Sequence, residues 1–293
     1  MNIIGFLFIL ILIFASSAHG IFLKYYGKNY PGDEGDSNLV YSAVLGLFVA
    51  FITFAVSGFT FKFSVLSLIL GVINGIAVIV FNRTLASGTE LGSYSILMIS
   101  ALSSGIIMPL CASLILDGLP GVLKLVGILL MLVAFVLLCV DFKDKTKAKP
   151  GFYLACAGVF LSNGTYGVLN ALENRFDNGI YNNEFIIVTY VTAAVVSSLL
   201  LLLNKRSRFI CAYRQTKKSL VFNLLGAFCT AVLINFLMLT FEYISPEIVY
   251  TVMNGGTIVA SAFLSLTLFK ERISFQKWCG IAVATVSVVV LAL

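Results

Sequence analysis

Charge is what this sequence has least of. Asp, Glu, Lys and Arg make up only 11% of its 293 residues, against about 25% in an ordinary soluble domain. Histidine is nearly absent too, with one residue, and no Cys-His cluster has ligand spacing, so neither a metal nor another cofactor is expected. Of six cysteines, Cys111, Cys139, Cys156, Cys229 and Cys279 fall in apolar runs and only Cys211 in a loop. They read as small core hydrophobes rather than as a disulfide framework. There is no P-loop, nucleophile elbow or glycine-rich dinucleotide fingerprint, so an enzyme is not expected.

What fills the chain instead is apolar surface. Hydrophobic residues make up 60%, and the mean hydropathy is +1.04, values that belong to an integral membrane protein. The net charge of +6 does not indicate a nucleic-acid partner, because the basic residues sit in short connections between apolar runs, where they set orientation. A span needs about 20 apolar residues, and the runs predict ten: 3–25, 38–58, 63–84, 90–115, 120–140, 151–173, 183–204, 219–241, 246–269 and 274–293. The longest linkers are 26–37, 141–150 and 205–218. In the first run, Phe6 to Phe14 precedes Ala15, Ser16, Ser17 and Ala18, the layout of a secretory signal with a small-residue cleavage site. No Lys or Arg precedes it, and a similar segment recurs in the second half, so a retained helix is expected.

That recurrence points to an internal repeat. A shift of about 147 residues brings Ser16, His19 and Gly20 onto Asn163, Tyr166 and Gly167. The ends of the halves correspond as well: Asp117, Leu119, Lys124 and Gly127 match Glu271, Ile273, Lys277 and Gly280, and Tyr94 matches Tyr250. The halves divide as residues 1–142 and 143–293. Five spans is an odd number, so two similar halves enter the membrane from opposite sides. Inverted repeats of this kind suit alternating access about a site near the bilayer midplane.

Two five-span halves, each ending in an acidic corner, a Lys and a Gly before the last span, resemble the drug/metabolite transporter superfamily in its ten-helix EamA-type branch. The likeness is strongest at Leu268, Phe269, Lys270, Glu271, Arg272, Ile273 and Ser274 with Gly280. The first-half corner departs from it, with Asp117, Gly118 and Pro120. The resemblance implies an all-α transmembrane fold, ten helices in two inverted five-helix repeats around a central cavity lined by the first, third, fourth, sixth, eighth and ninth. It also implies secondary transport. Family members carry amino acids, nucleotide sugars, drugs and other small metabolites, so the resemblance does not name the substrate.

Candidate binding residues follow from polarity inside apolar spans. In the ninth span Glu247, Tyr250, Asn254, Thr257, Ser261 and Ser265 recur at steps of three and four and share one face. Such a stripe is expected to face a bundle interior or a water-filled cavity. Asn74, Asn163 and Asn235 lie in the third, sixth and eighth spans. A bare amide in hydrocarbon costs on the order of several kcal/mol, so each must meet a polar group. That group is either substrate or a neighbouring helix; in the second case the bond contributes about 0.6 to 2 kcal/mol. Asn163, Tyr166 and Asn170 share a face. Ser16 and His19 occupy the corresponding place in the first span, and His19 is the candidate for coupling transport to protons, the alternative being a hydrogen-bonded structural histidine. Gly255 and Gly256 serve close packing or free a carbonyl. Glu90, Glu173, Glu242 and Glu247 sit near span ends, where a carboxylate avoids the cost of the midplane.

The expected substrate-binding set is therefore Ser16, His19, Asn74, Tyr94, Asn163, Tyr166, Asn235, Glu247, Tyr250 and Asn254. Amides and tyrosines without a midplane cation favour a neutral or zwitterionic small molecule over an anion. The expected partners are that small-molecule substrate, membrane lipid and a coupling proton. The alternatives are a lipid-linked carrier flippase, which would carry a cationic patch, and a polytopic membrane sensor or enzyme. Sixteen of the nineteen Lys and Arg fall in odd-numbered connections, leaving Lys62, Lys124 and Arg175. The positive-inside rule then places the odd connections in the cytoplasm and both termini outside, with the plasma membrane the expected location.

Overall fold

The computed structural model of the protein describes residues 3–32, 34–92, 94–116, 118, 121–139, 149–176, 179–204, 213, 215–268 and 274–292. These residues form ten α-helices: α1 (Ile3–Asn29), α2 (Glu34–Val56), α3 (Val65–Leu91), α4 (Tyr94–Leu116), α5 (Val122–Cys139), α6 (Phe152–Phe176), α7 (Asn182–Asn204), α8 (Lys217–Thr240), α9 (Pro246–Leu268) and α10 (Phe275–Ala292). In lipid a backbone must satisfy its own polar groups, which an apolar run achieves by coiling into helix. Seven of the ten, α1 to α4 and α6 to α8, are long and apolar enough to cross a membrane, and α5 and α10 are shorter apolar helices.

The ten expected spans correspond one to one with these helices, but two boundaries move. The linker expected at 26–37 shrinks, because α1 continues to Asn29 and α2 starts at Glu34. Tyr26 explains part of this extension: its ring is 1% exposed and its hydroxyl donates to Ser37 O at 3.3 Å. The connection expected between 84 and 90 is helical, so that Arg83 and Glu90 belong to α3. Its polar residues stay in the helix by bonding backwards, Thr84 Oγ1 to Val80 O at 2.7 Å and Ser87 Oγ to Arg83 O at 3.0 Å. The corner at 269–273 and residues Asp117, Leu119 and Pro120 lie outside the described residues, as does the boundary between 142 and 143.

The helices form two compact units that are not the two halves of the sequence. Unit 1 comprises residues 1–14, 80–171 and 239–293, and unit 2 comprises 15–79 and 172–238. In unit 1, α5 and α10 run antiparallel, with Ser287 Oγ donating to Gly127 O at 2.7 Å and Gln276 Nε2 to Leu137 O at 2.8 Å. Parallel α4 and α6 bury Leu97 and Ala101 against Ala155 and Val159. In unit 2, α2 and α7 pair antiparallel through Leu39, Val40 and Leu201. α3 lies so close to α7 that a Cβ on Gly75 would stand 2.5 Å from Thr189 O. Between apolar helices in lipid, such close backbone approach and the dispersion it brings drive association.

Candidate functional site

Three helices of unit 1 each contribute one turn to a polar cluster. α4 supplies Gly105 and Pro109, α6 supplies Asn163 and Gly167, and α9 supplies Asn254 and Tyr250. A Cβ on Gly105 would stand 3.0 Å from Asn254 Nδ2 and 3.3 Å from Asn163 Nδ2; the missing side chain is what admits both amides to the α4 backbone. One turn along, a Cβ on Gly167 would stand 3.0 Å from Pro109 Cγ and 3.6 Å from the Tyr250 ring. The cluster thus has two layers, an amide layer at Gly105 and a tyrosine layer at Gly167.

The hydrogen bonds in these layers are incomplete. Asn163 Nδ2 donates to Ala101 O at 2.7 Å and to Ser104 Oγ at 3.2 Å, which occupies both its N–H groups and leaves Oδ1. Asn254 is half-buried and bonds no described residue. Tyr250 is 4% exposed, and its hydroxyl faces Tyr166 and Asn170 without hydrogen-bond geometry to any described residue. Asn170, fully buried, uses Nδ2 on Tyr166 O at 2.7 Å, while its Oδ1 is also without a partner among the described residues. A buried polar group left this way costs about 1 to 3 kcal/mol, so the arrangement suits a ligand or ordered water that completes it.

The ninth-span stripe is turned into the unit. Glu247 is 4% exposed, Tyr250 is buried, and Asn254 and Thr257 are half-buried. The side chains of Ser261, Ser265 and Tyr94 lie outside the described residues. Gly255 and Gly256 pack against Met131 and Ile13, and α9 runs through them unbroken. Of their two expected roles, packing is the one the contacts fill.

Unit 2 holds the remaining expected residues, tied differently. Asn74 Nδ2 donates to Thr189 Oγ1 at 3.4 Å, and Asn235 Nδ2 donates to Thr53 Oγ1 at 3.1 Å and Ala231 O at 2.8 Å. His19 Nδ1 lies 2.9 Å from Thr230 Oγ1, 3.3 Å from Gly226 O and 3.5 Å from the Tyr41 hydroxyl. A carbonyl only accepts, so Nδ1 carries the proton and Nε2 is the basic nitrogen. Ser16 is half-buried in the same unit. Glu173, 1% exposed, accepts from Ser67 Oγ at 2.6 Å, and Glu184 Oε1 accepts from the Lys62 backbone N–H at 2.7 Å.

Sequence reasoning missed three things here. The threonines that take up Asn74, Asn235 and His19 carry no signal of their own in an apolar helix. Asn223, with both ends of its fully buried amide unpartnered among the described residues, is an amide in the second turn of α8 and was legible. Pro109 inside α4, beside Gly105, was legible as well, since a proline in mid-span always breaks one backbone bond.

Comparison with known proteins bears on the fold and the family. Twenty-nine chains of known structure match. One protein crystal structure superposes with a TM-score of 0.77 over 98% of this chain and 94% of its own, at 14% identity; that likeness concerns the fold alone. No curated protein matches significantly in sequence. Residues 149–293, which include α6 and α9 with their Asn163, Tyr250 and Asn254, match the model of the EamA-like transporter family. With that domain in its second half and, among the described residues, ten helices of which seven are long and apolar enough to cross a membrane, the chain belongs to the EamA-like transporter family.

Proposed function

We propose that this membrane transporter moves a small polar organic metabolite by secondary active, alternating-access transport, and that the two-layer cluster of unit 1 contacts the substrate. The observation that carries this reading is the set of uncommitted polar groups on α4, α6 and α9: Asn254, Asn163 Oδ1, Asn170 Oδ1 and the Tyr250 hydroxyl. Neither layer contains Lys or Arg, which favours a neutral or zwitterionic molecule over an anion. The five-and-five order of spans supports two inverted repeats at 1–142 and 143–293 and hence alternating access. Nothing in the cluster is a nucleophile with an adjacent base, which favours transport without chemistry on the substrate.

A thermal-shift screen of the purified protein against a metabolite library tests the proposal. A ligand at 100 times its Kd stabilises the folded state by about 2.7 kcal/mol, and the hit should then be taken up by proteoliposomes. A hit whose binding and uptake ignore Asn254→Leu and Tyr250→Phe together would move the site elsewhere. The bias of Lys and Arg supports a plasma-membrane protein with both termini outside. A membrane-impermeant thiol reagent applied to intact cells should then spare Cys211; labelling from outside would reverse the orientation.

A further inference from the structure

The cluster of unit 1 contains one acceptor that no side chain supplies. Pro109 lies inside α4, and a proline has no N–H to give the carbonyl four residues earlier. That carbonyl belongs to Gly105, the residue whose bare face meets the amides of Asn163 and Asn254. A helical carbonyl points along the axis towards the residue four positions ahead. Gly105 O therefore lies between the amide layer and the tyrosine layer.

The oxygens around this place are the informative feature. Gly105 O has lost its ladder partner, and Asn163 presents Oδ1 because both its N–H groups are held by Ala101 O and Ser104 Oγ. One layer away, the buried Asn170 Oδ1 and Tyr250 hydroxyl are also without hydrogen bonds among the described residues. We propose that Gly105 O and Asn163 Oδ1 seat a primary ammonium group of the transported molecule. This rests on reading the cluster as a substrate contact and adds the chemistry of the contact.

The choice among head groups follows from donor count. An ammonium brings three N–H donors and no acceptor, and carbonyl oxygens replace the hydration shell of a cation where a channel filter exposes them. A hydroxyl brings one donor and sets its own lone pairs beside oxygens that are already acceptors. A carboxylate brings acceptors only and matches neither Gly105 O nor Asn163 Oδ1. The Tyr250 hydroxyl and the Asn254 amide remain for other polar atoms of the same molecule.

Pro109→Ala tests the seat, because it returns an N–H to position 109 and closes the ladder bond onto Gly105 O. Detergent-purified wild type and variant are compared by thermal shift with n-butylammonium chloride, 1-butanol and sodium butyrate. In wild type, butylammonium should stabilise at lower concentration than butanol, and butyrate should have no effect. In Pro109→Ala, whose ligand-free Tm should equal or exceed that of wild type, the butylammonium concentration for half-maximal stabilisation should rise by roughly tenfold, the loss of about one hydrogen bond to a charged group. An unchanged butylammonium response in Pro109→Ala overturns the proposal, as does wild-type preference for butanol or butyrate. If that variant does not fold, Gly105→Ala fills the seat directly, with a Cβ at 3.0 and 3.3 Å from the two amides, and must show the same loss. Asn254→Leu separates the two levels of inference. If it abolishes transport while Pro109→Ala binds like wild type, only the ammonium seat falls. If neither variant changes binding or uptake, the cluster is packing and the reading beneath falls too.

Discussion

The interiors of the two units arrange their buried polar groups differently. Each must house amides inside apolar helices, where an unmet polar group is costly. In unit 2 threonines on neighbouring helices take up Asn235, His19 and one end of Asn74, through Thr53, Thr230 and Thr189, while Asn74 Oδ1 and both ends of the buried Asn223 amide have no partner among the described residues. Unit 1 gathers its open groups at one place on α4, α6 and α9. Asn254 has no partner among the described residues, Tyr250 and Asn170 face each other without bonding, and Pro109 withholds a backbone donor from Gly105. Polarity inside a membrane helix therefore does not by itself mark a binding residue. What separates interhelical glue from a candidate site is whether open groups from several helices converge on one place.

The sharpest way to break this comparison is Asn254→Leu. Leucine suits a membrane helix at least as well as asparagine, and no described hydrogen bond is lost, so thermal stability should hold. Substrate affinity should fall by the equivalent of about 1 to 3 kcal/mol, measured as the half-saturating concentration for proteoliposome uptake, because a polar group of the substrate loses its partner. A less stable variant with wild-type affinity would place Asn254 in the same class as the unit 2 amides.

The contrast also explains what was legible in the sequence. The ten spans were readable because a stretch of some 20 apolar residues has one solution in lipid. The ninth-span stripe was readable because steps of three and four define a face, and that face is turned inward from Glu247 to Thr257. The boundary at 84–90 was misread because Thr84 and Ser87 bond backwards within their own helix, and that at 26–37 because Tyr26 is buried and bonds Ser37 O on the next helix. Which amides are occupied was not legible. That depends on a threonine more than a hundred residues away, as Thr189 is from Asn74 and Thr53 from Asn235, and only packing brings the pair together. The gathering of Asn163, Tyr250 and Asn254 around α4 was not legible for the same reason.

A smaller effect of opposite kind is expected in unit 2. Asn235→Leu removes the bond to Thr53 and leaves that buried hydroxyl oxygen without its donor. It should lower thermal stability by about 0.6 to 1.7 kcal/mol, the range for interhelical hydrogen bonds in membranes, and leave substrate affinity unchanged. Double substitution with Thr53→Val should cost no more than the single change, since the two side chains act as one pair. Additive losses, or a drop in affinity, would show that unit 2 also touches substrate.

The finest distinction lies at His19, where the partners are of the unit 2 kind but one nitrogen is not engaged. Nδ1 is held by Thr230 and Gly226 O, with the Tyr41 hydroxyl at the limit of contact; Cys229 lies near Tyr41 on the same side. None of these is a carboxylate, so no fixed negative charge holds the imidazole in one protonation state. Nε2, the nitrogen free to take up a proton, bonds no described residue. Glutamine keeps an N–H donor for Thr230 and Gly226 O but has no basic nitrogen. His19→Gln should therefore fold with a stability change within about 0.5 kcal/mol and bind substrate as wild type does, while the dependence of uptake on pH between about 5 and 8 flattens. Uptake measured across that range at fixed substrate, with binding measured in parallel, separates coupling from structure. A variant that keeps the wild-type pH profile would assign His19 to the same threonine-bound glue as Asn74 and Asn235, and the coupling ion would have to enter through another group.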